Sequence, residues 1–300
     1  MATRSVGILS PGDMGHTVGA MLRQHGARIL TCLDGRSERT RALAAEAGFQ
    51  DVPSLEALVG EADMVLCILV PSEALGVAER VADAIRGTRA DVLYVDCNAV
   101  APRTARAIGE VIAAAGGRVA DGGIIGPPPK KQGTTRFYAS GPGAAELAEL
   151  NDFGLDIRVL DGDVGQASGL KMCYAALTKG VQALGVELLV AARAMGLEAA
   201  LEAEQAGTMA AVKGFLERSV PGMPPKAYRW VGEMEEIATT FADLGLTPKI
   251  LLGAADIYRF VADTPIGHET PETKDLSRDL RGVIEVLSDE LTGQTVAGRR

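Results

Sequence analysis

The feature that most limits what this chain can fold into is an alternation. From Ser5 to about Leu160, short aliphatic runs of strand length take turns with amphipathic stretches of helical period. A chain patterned this way buries a mostly parallel sheet between layers of helix. Strands are expected at residues 5–9, 28–33, 64–70, 92–96 and 118–125, with 136–140 and 156–160 closing one edge around a short helix. Helices are expected between them, at 15–25, 37–47, 54–58, 72–85 and 102–115. After Gly165 the texture changes to helical period throughout, broken at Gly196, Pro221 to Pro225, Thr247-Pro248 and Thr264 to Pro271. The first of these later helices, about 166–195, carries Leu170, Tyr174, Leu177, Val181, Leu184 and Leu188 at three- to four-residue spacing. That spacing predicts a helix buried between the two halves.

Composition narrows the function classes. The chain has 300 residues, 47% of them apolar, enough for one large domain or two modest ones. Glycine supplies 36 residues and aromatics only 4%, so the core must come from aliphatic side chains and close backbone approaches. The net charge of -9, most of it after residue 160, argues against a nucleic-acid partner, which would need a basic stripe. The longest uncharged apolar run, 64–71, has strand length, whereas a membrane span needs about 20 residues, so no membrane association is expected. No basic segment followed by a long apolar one opens the sequence, and the expectation is a cytoplasmic protein. Cys32, Cys67, Cys97 and Cys173 each sit in an apolar run without a C-x-x-C pair and read as reduced core cysteines. His16, His25 and His268 are too scattered for a zinc site, so no metal is expected.

The first strand runs directly into Ser10-Pro11-Gly12-Asp13-Met14-Gly15, and Val18, Met21 and Leu22 then give the next helix an apolar face. In the G-x-G-x-x-G fingerprint the second glycine lets backbone approach a pyrophosphate, the third lets helix pack on strand, and the helix N-terminus faces the phosphates. Gly12 and Gly15 fill those two places, and Ser10 replaces the first glycine. At the first strand of an alternating α/β segment, this predicts a dinucleotide site made by Ser10, Pro11, Gly12, Asp13, Met14 and Gly15. The end of the second strand reads Asp34-Gly35-Arg36-Ser37, where two signals conflict. Asp34 suits the ribose hydroxyls of NAD, while Arg36 and Ser37 suit the 2'-phosphate of NADP; the reading favours NADP(H) over NAD(H). Val70, after the 64–70 strand, completes the expected cofactor set with Asn98, which stands after Val95-Asp96-Cys97 either near nicotinamide or as a helix cap before Pro102.

Together with two later motifs, this turn resembles the β-hydroxyacid dehydrogenase family. Those motifs are Asp121-Gly122-Gly123-Ile124-Ile125-Gly126, matching a D-x-P-V-S-G-G substrate loop, and Gly162 to Ala175, matching G-x-x-G-x-G-x-x-x-K-x-x-x-N. The resemblance covers the first 195 residues; beyond them the chain matches only in being helical. It implies a Rossmann-type doubly wound sheet over residues 1–162, a long interdomain helix, and an all-helical substrate and dimerisation domain over 163–300. It also implies a homodimer formed through that helical domain, and an oxidoreductase interconverting hydroxyl and carbonyl on a small molecule.

Lys171 falls on the family's catalytic lysine. Read from the residues alone, a lysine among Leu170, Met172 and Cys173 is either a snorkelling edge residue or an ammonium of lowered proton affinity. In the second case it can pass a proton to or from a substrate oxygen. Two departures stand out. Ala175 occupies the family asparagine, so Ser168 or Tyr174, three residues either side of Lys171, is expected to supply a hydroxyl. Ile125 occupies the family serine in a loop where Gly123, Ile125 and Gly126 would line the substrate, so that carboxylate contact should be lost. Lys130, Lys131 and Arg136 follow as a solvated loop or an anion contact, Lys179 reads as a polar edge residue, and Trp230 reads as core or pocket lining. An imine or enamine reductase on the same scaffold, or a non-catalytic NAD(P)-binding regulator, remains the alternative reading.

Overall fold

The aliphatic runs become strands because consecutive residues of a parallel sheet covered on both faces are all buried. In the computed structural model, which describes residues 4–297, the first elements follow in the order β1 (Ser5–Leu9), α1 (Asp13–Gln24), β2 (Arg28–Thr31), α2 (Glu38–Glu46), β3 (Gln50–Asp51) and α3 (Leu55–Glu61). Then come β4 (Met64–Cys67), α4 (Ala74–Thr88), β5 (Leu93–Asp96), α5 (Pro102–Ala114), β6 (Arg118–Ile125), β7 (Arg136–Ser140), α6 (Ala144–Leu147) and β8 (Ile157–Val159). All eight strands form one sheet in the order β3-β2-β1-β4-β5-β6-β7-β8. Every pairing is parallel except β6 with β7. The order reverses between β1 and β4, which opens the crevice where doubly wound sheets bind ligands.

The sheet carries a core on each face. One holds Leu9, Val65, Tyr94 and Val119 under Leu58, Val77, Val81, Ile85, Ile108 and Ile112 of α3, α4 and α5. The other holds Val6, Ile8, Leu66, Val95 and Phe137 against Val18 and Leu22 of α1 and Leu147 of α6. Burying each such aliphatic side chain stabilises the fold by roughly 1.5–3 kcal/mol.

Two strands, β2 and β4, end two and three residues earlier than the aliphatic pattern predicts, and side chains are the reason. The Leu33 N–H donates to Asp51 Oδ1 (3.0 Å), and the Leu69 N–H donates to Asn98 Oδ1 (2.5 Å), so both backbones leave the ladder. Sequence reading misses β3 altogether because it is two exposed polar residues, paired in register with Leu30 and Thr31.

By packing, the chain divides between Cys173 and Tyr174, inside the helix α7 (Gln166–Ala194). The second unit continues through α8 (Glu198–Thr208), α9 (Ala210–Ser219), α10 (Ala227–Asp243), α11 (Lys249–Ala262) and α12 (Leu280–Ala297). Its core includes Leu216, Met234, Ile237, Tyr258, Val261 and Leu287. Lys179 is not a polar edge residue: it pairs with Glu233 and lies 5.1 Å from the centre of the Trp230 ring, which meets Tyr258 edge-on at 5.3 Å. The Tyr258 hydroxyl donates to the Lys179 carbonyl at 2.6 Å.

The expected enclosure of α7 is corrected as well. Among the described residues it is the one helix long and apolar enough to cross a membrane, yet Leu170, Tyr174, Leu177 and Leu184 are exposed along it. Cys173 on the same helix is exposed too, unlike the buried Cys32, Cys67 and Cys97.

The start of α7 is fixed by one buried carboxylate. Asp121 in β6 accepts four hydrogen bonds: from the Gly165 N–H (2.8 Å), the Ser168 N–H (3.0 Å), the Ser168 hydroxyl (2.6 Å) and the Ser140 hydroxyl (3.1 Å). Ser140 in turn accepts from the Ala167 N–H at 3.1 Å. The first-turn amides of a helix lack partners within the helix, and a carboxylate there also meets the positive end of the helix dipole. Asp121→Ala would leave these donors buried and unmatched. It should lower unfolding stability by about 3 kcal/mol, read as a fall in the urea midpoint; a loss under ~0.5 kcal/mol would show that the helix start does not depend on Asp121.

Candidate cofactor and catalytic site

The turn after β1 is shaped before any ligand arrives. Ser10 adopts φ 60°, the left-handed conformation that the fingerprint ordinarily gives to glycine, and its carbonyl accepts from the Gly12 N–H at 2.7 Å. A Cβ on Gly15 would stand 2.9 Å from the Ser10 carbonyl oxygen and 3.3 Å from Ile8, so this glycine lets α1 lie against β1. Gly12 differs. Its φ of -78° is open to any residue, and a Cβ there would meet no protein atom within 4 Å. Neither conformation nor packing asks for glycine at this position, whereas a pyrophosphate pressed against the backbone does. Gly12 also caps α1 without a side-chain hydrogen bond, leaving the helix N-terminus to an anion. These residues fit a dinucleotide.

The adenosine end is polar and open. Asp34 and Ser37 are exposed and Arg36 is half-buried. Ser37 also caps α2, accepting from the Thr40 N–H at 3.3 Å. Arg36 is near enough to the sheet edge for its charge to act on Cys67. A further guanidinium escaped sequence reading: Arg39 pairs with Asp13 at 2.6 Å, which offsets the one acid in the first turn of α1. Met14, in the first turn of α1, packs on the core, and His16 Nδ1 contacts the Gly12 carbonyl at 2.7 Å.

At the carboxyl edge, parallel register sets Cys67, Asp96 and Asp121 side by side on β4, β5 and β6. Asn98 is buried, and its amide is engaged by protein on both sides. Nδ2 contacts Asp96 Oδ1 and Cys67 Sγ (3.4 Å), while Oδ1 holds Leu69. The side chain is thus a brace for the loop bearing half-exposed Val70, and the cap of α5 is Ala101. Burial, with the Asp121 carboxyl alongside, pushes Asp96 up to about 7, and burial pushes the Cys67 thiol up to about 12.

Lys171 stands one turn beyond Ser168 and is partly buried. Its backbone is brought over β6 by Gly123, where a Cβ would come 2.6 Å from the Ala167 carbonyl oxygen and 3.4 Å from the Lys171 Cβ. Gly123 therefore serves helix approach. Ser168, expected to offer its hydroxyl to a substrate, is fully buried and gives that hydroxyl to Asp121. Tyr174 is half exposed, Ile125 is buried, and Gly126 turns the chain at φ 131° into the 127–134 loop, where Lys130 and Lys131 are exposed. A separate open hollow of about 460 Å³, lined by Leu160, Asp161, Gln166, Gly169, Leu170 and Cys173, includes neither Lys171 nor the glycine turn.

Comparison with known proteins agrees with this geometry. Residues 5–150 match the NAD binding domain of 6-phosphogluconate dehydrogenase, and residues 192–261 match a domain of unknown function. An uncharacterized 28.5 kDa protein of Methanothermus fervidus is 31% identical over 192 residues, spanning 64% of this chain and 72% of that one. A solved conserved protein of unknown function, described as similar in structure to 3-hydroxyacid dehydrogenases, is 30% identical with a TM-score of 0.65, covering 86% of this chain and 97% of its own. The 3-hydroxyisobutyrate dehydrogenase of Mycobacterium tuberculosis shares the fold with a TM-score of 0.68 at 20% identity, over 95% and 99% of the two chains. With a dinucleotide turn on the first strand of a doubly wound sheet and a helical unit following it, the chain belongs to the β-hydroxyacid dehydrogenase-like family.

Proposed function

We propose that this protein is an NADP(H)-dependent oxidoreductase that interconverts a hydroxyl and a carbonyl on a small β-hydroxyacid-like molecule, with Lys171 as general acid/base. The observation that carries the reading is the seating of Lys171: Asp121 fixes the preceding turn of α7, and Gly123 brings the helix against the sheet's carboxyl edge. A bound nicotinamide would supply or accept the hydride. The turn 10–15 would hold its pyrophosphate, Arg36 and Ser37 the 2'-phosphate, and Val70 the wall beside the ring. Lys171 gives a proton to the carbonyl oxygen during reduction and takes one from the hydroxyl during oxidation. With buried Ile125 in the family serine's place and Ala175 in the asparagine's, the substrate is less acidic, bulkier, or held by different groups.

The protein acts as a homodimer in this reading, supported by apolar side chains left exposed in the second unit, among them Leu177, Leu184, Leu244 and Ile250. Light scattering should give about twice the 31.2 kDa chain mass; a monomer at micromolar concentration would remove this part.

Hydroxy acids and the matching aldehydes, screened with NADPH consumption as readout, should reveal turnover. Lys171→Ala should then keep NADPH affinity and lose at least about 100-fold in kcat/KM; unchanged turnover would rule out its role. Arg36→Ala should weaken NADPH by about 10- to 100-fold and leave NADH nearly unchanged. Equal losses for both cofactors, or tighter NADH binding by the unaltered protein, would assign the site to NAD(H).

A further inference from the structure

Two acids stand beside each other at the edge that Lys171 overlooks. Asp96 ends β5 and Asp121 lies in β6, in direct register, so their side chains leave the sheet on the same face. Both are closed to solvent, at 2% and 0% exposure. Their surroundings are unequal. Asp121 collects four donors, which suit a carboxylate. Asp96 receives donors from Asn98 alone, its backbone N–H and its side-chain amide, and its Oδ2 has no hydrogen-bond partner among the described residues. Two adjacent buried negative charges are costly, and a carboxyl with an unmet oxygen gives up its charge the more readily. Asp96 is therefore the member of the pair that exchanges a proton.

Lys171 is the cation of the same cluster. Its helix is tied to Asp121 and pressed on Gly123, two residues further along the same face of β6, and its charge acts on both Asp96 and Cys97. We infer that Asp96 is a positioning residue for the proton chemistry of Lys171: a buried carboxyl whose change of charge sets how firmly Lys171 keeps its proton. The functional weight of this pair rests on Lys171 being the general acid/base.

The other titratable groups beside Asp96 are Cys67 from β4, Tyr94 of β5, and Cys97 immediately after that strand. Burial pushes all three up, Cys67 to about 12 and the other two well above their ordinary values, so they stay neutral near pH 7. Arg36 reaches this edge through Cys67. Against that background Asp96, pushed up to about 7, changes charge in the neutral range. Above that point its carboxylate favours the Lys171 ammonium; below it, the neutral acid lets Lys171 release its proton more readily.

The test needs neither substrate nor cofactor. Lysines of the intact protein are pulse-labelled with acetic anhydride between pH 6 and 9.5, and Lys171 is compared by mass spectrometry with exposed Lys130 in the same sample. In Asp96→Asn, Lys171 should label about three- to tenfold faster at pH 8 than in the unaltered protein, with Lys130 unchanged. Equal Lys171 rates in the two proteins, or a parallel rise at Lys130, would overturn the coupling. Carboxyl carbon NMR of the unaltered protein provides an arm independent of the variant's folding: the Asp96 resonance should titrate near pH 7, and a carboxyl ionised throughout from pH 5 would overturn the inference. If Lys171 labelling shifts as expected while Lys171→Ala retains full turnover, the coupling stands and the catalytic assignment of Lys171 falls.

Discussion

Much of the first unit's chemistry depends on one buried carboxylate. Asp121 sits in a strand, yet its partners are the first-turn amides and serine of a helix 44 and 47 residues later in the chain, together with a serine on the neighbouring strand. A charge in a closed interior is tolerable only when its lone pairs are met, and here four donors meet them. The same contacts that satisfy the charge fix where the helix starts and how it is rotated about its axis. Lys171, one turn later, inherits that orientation. The placement of Lys171 is thus a by-product of electrostatic satisfaction in the core.

The two glycines of the dinucleotide turn divide their duties. Gly15 answers to the protein, because a side chain there would collide with the Ser10 carbonyl and Ile8. Gly12 answers to nothing within the protein, and its lack of a side chain has meaning only toward a ligand. The Arg39–Asp13 pair belongs to the same economy of charge: an acid at the mouth of an anion site is tolerable when a guanidinium neutralises it. At the open end of the crevice Arg39 is answered by Asp13, and Arg36 stands beside exposed Asp34 and Ser37.

What the sequence disclosed follows from the range of the interactions involved. The β1, β6 and β7 strands are legible to the residue because aliphatic patterning is local, and the dinucleotide turn and Lys171 are legible because their motifs are contiguous. The roles of Asp96, Asn98, Asp121 and Ser168 are not, since each is defined by partners that only the folded sheet brings near. Asn98 illustrates the difference: the same position that suggests a nicotinamide neighbour is occupied by an amide wholly engaged with Leu69, Asp96 and Cys67. The available signal is an acid in a buried aliphatic strand, twice, at the end of β5 in Asp96 and within β6 in Asp121, where solvent cannot account for the charge. The exposed flank of α7 escaped for the converse reason, because helical periodicity marks an apolar face without saying what covers it.

Ser10 carries a last consequence. A residue with a Cβ held in the left-handed region costs on the order of 1 kcal/mol, and the folded chain sustains it through the Gly12 amide and the contact of α1 with β1. The turn is therefore preorganised at the expense of overall stability, and an arriving dinucleotide spends none of its binding energy on ordering it. A serine in the fingerprint's first position is then a record of where the protein settled the entropy of recognition: in folding, ahead of the encounter.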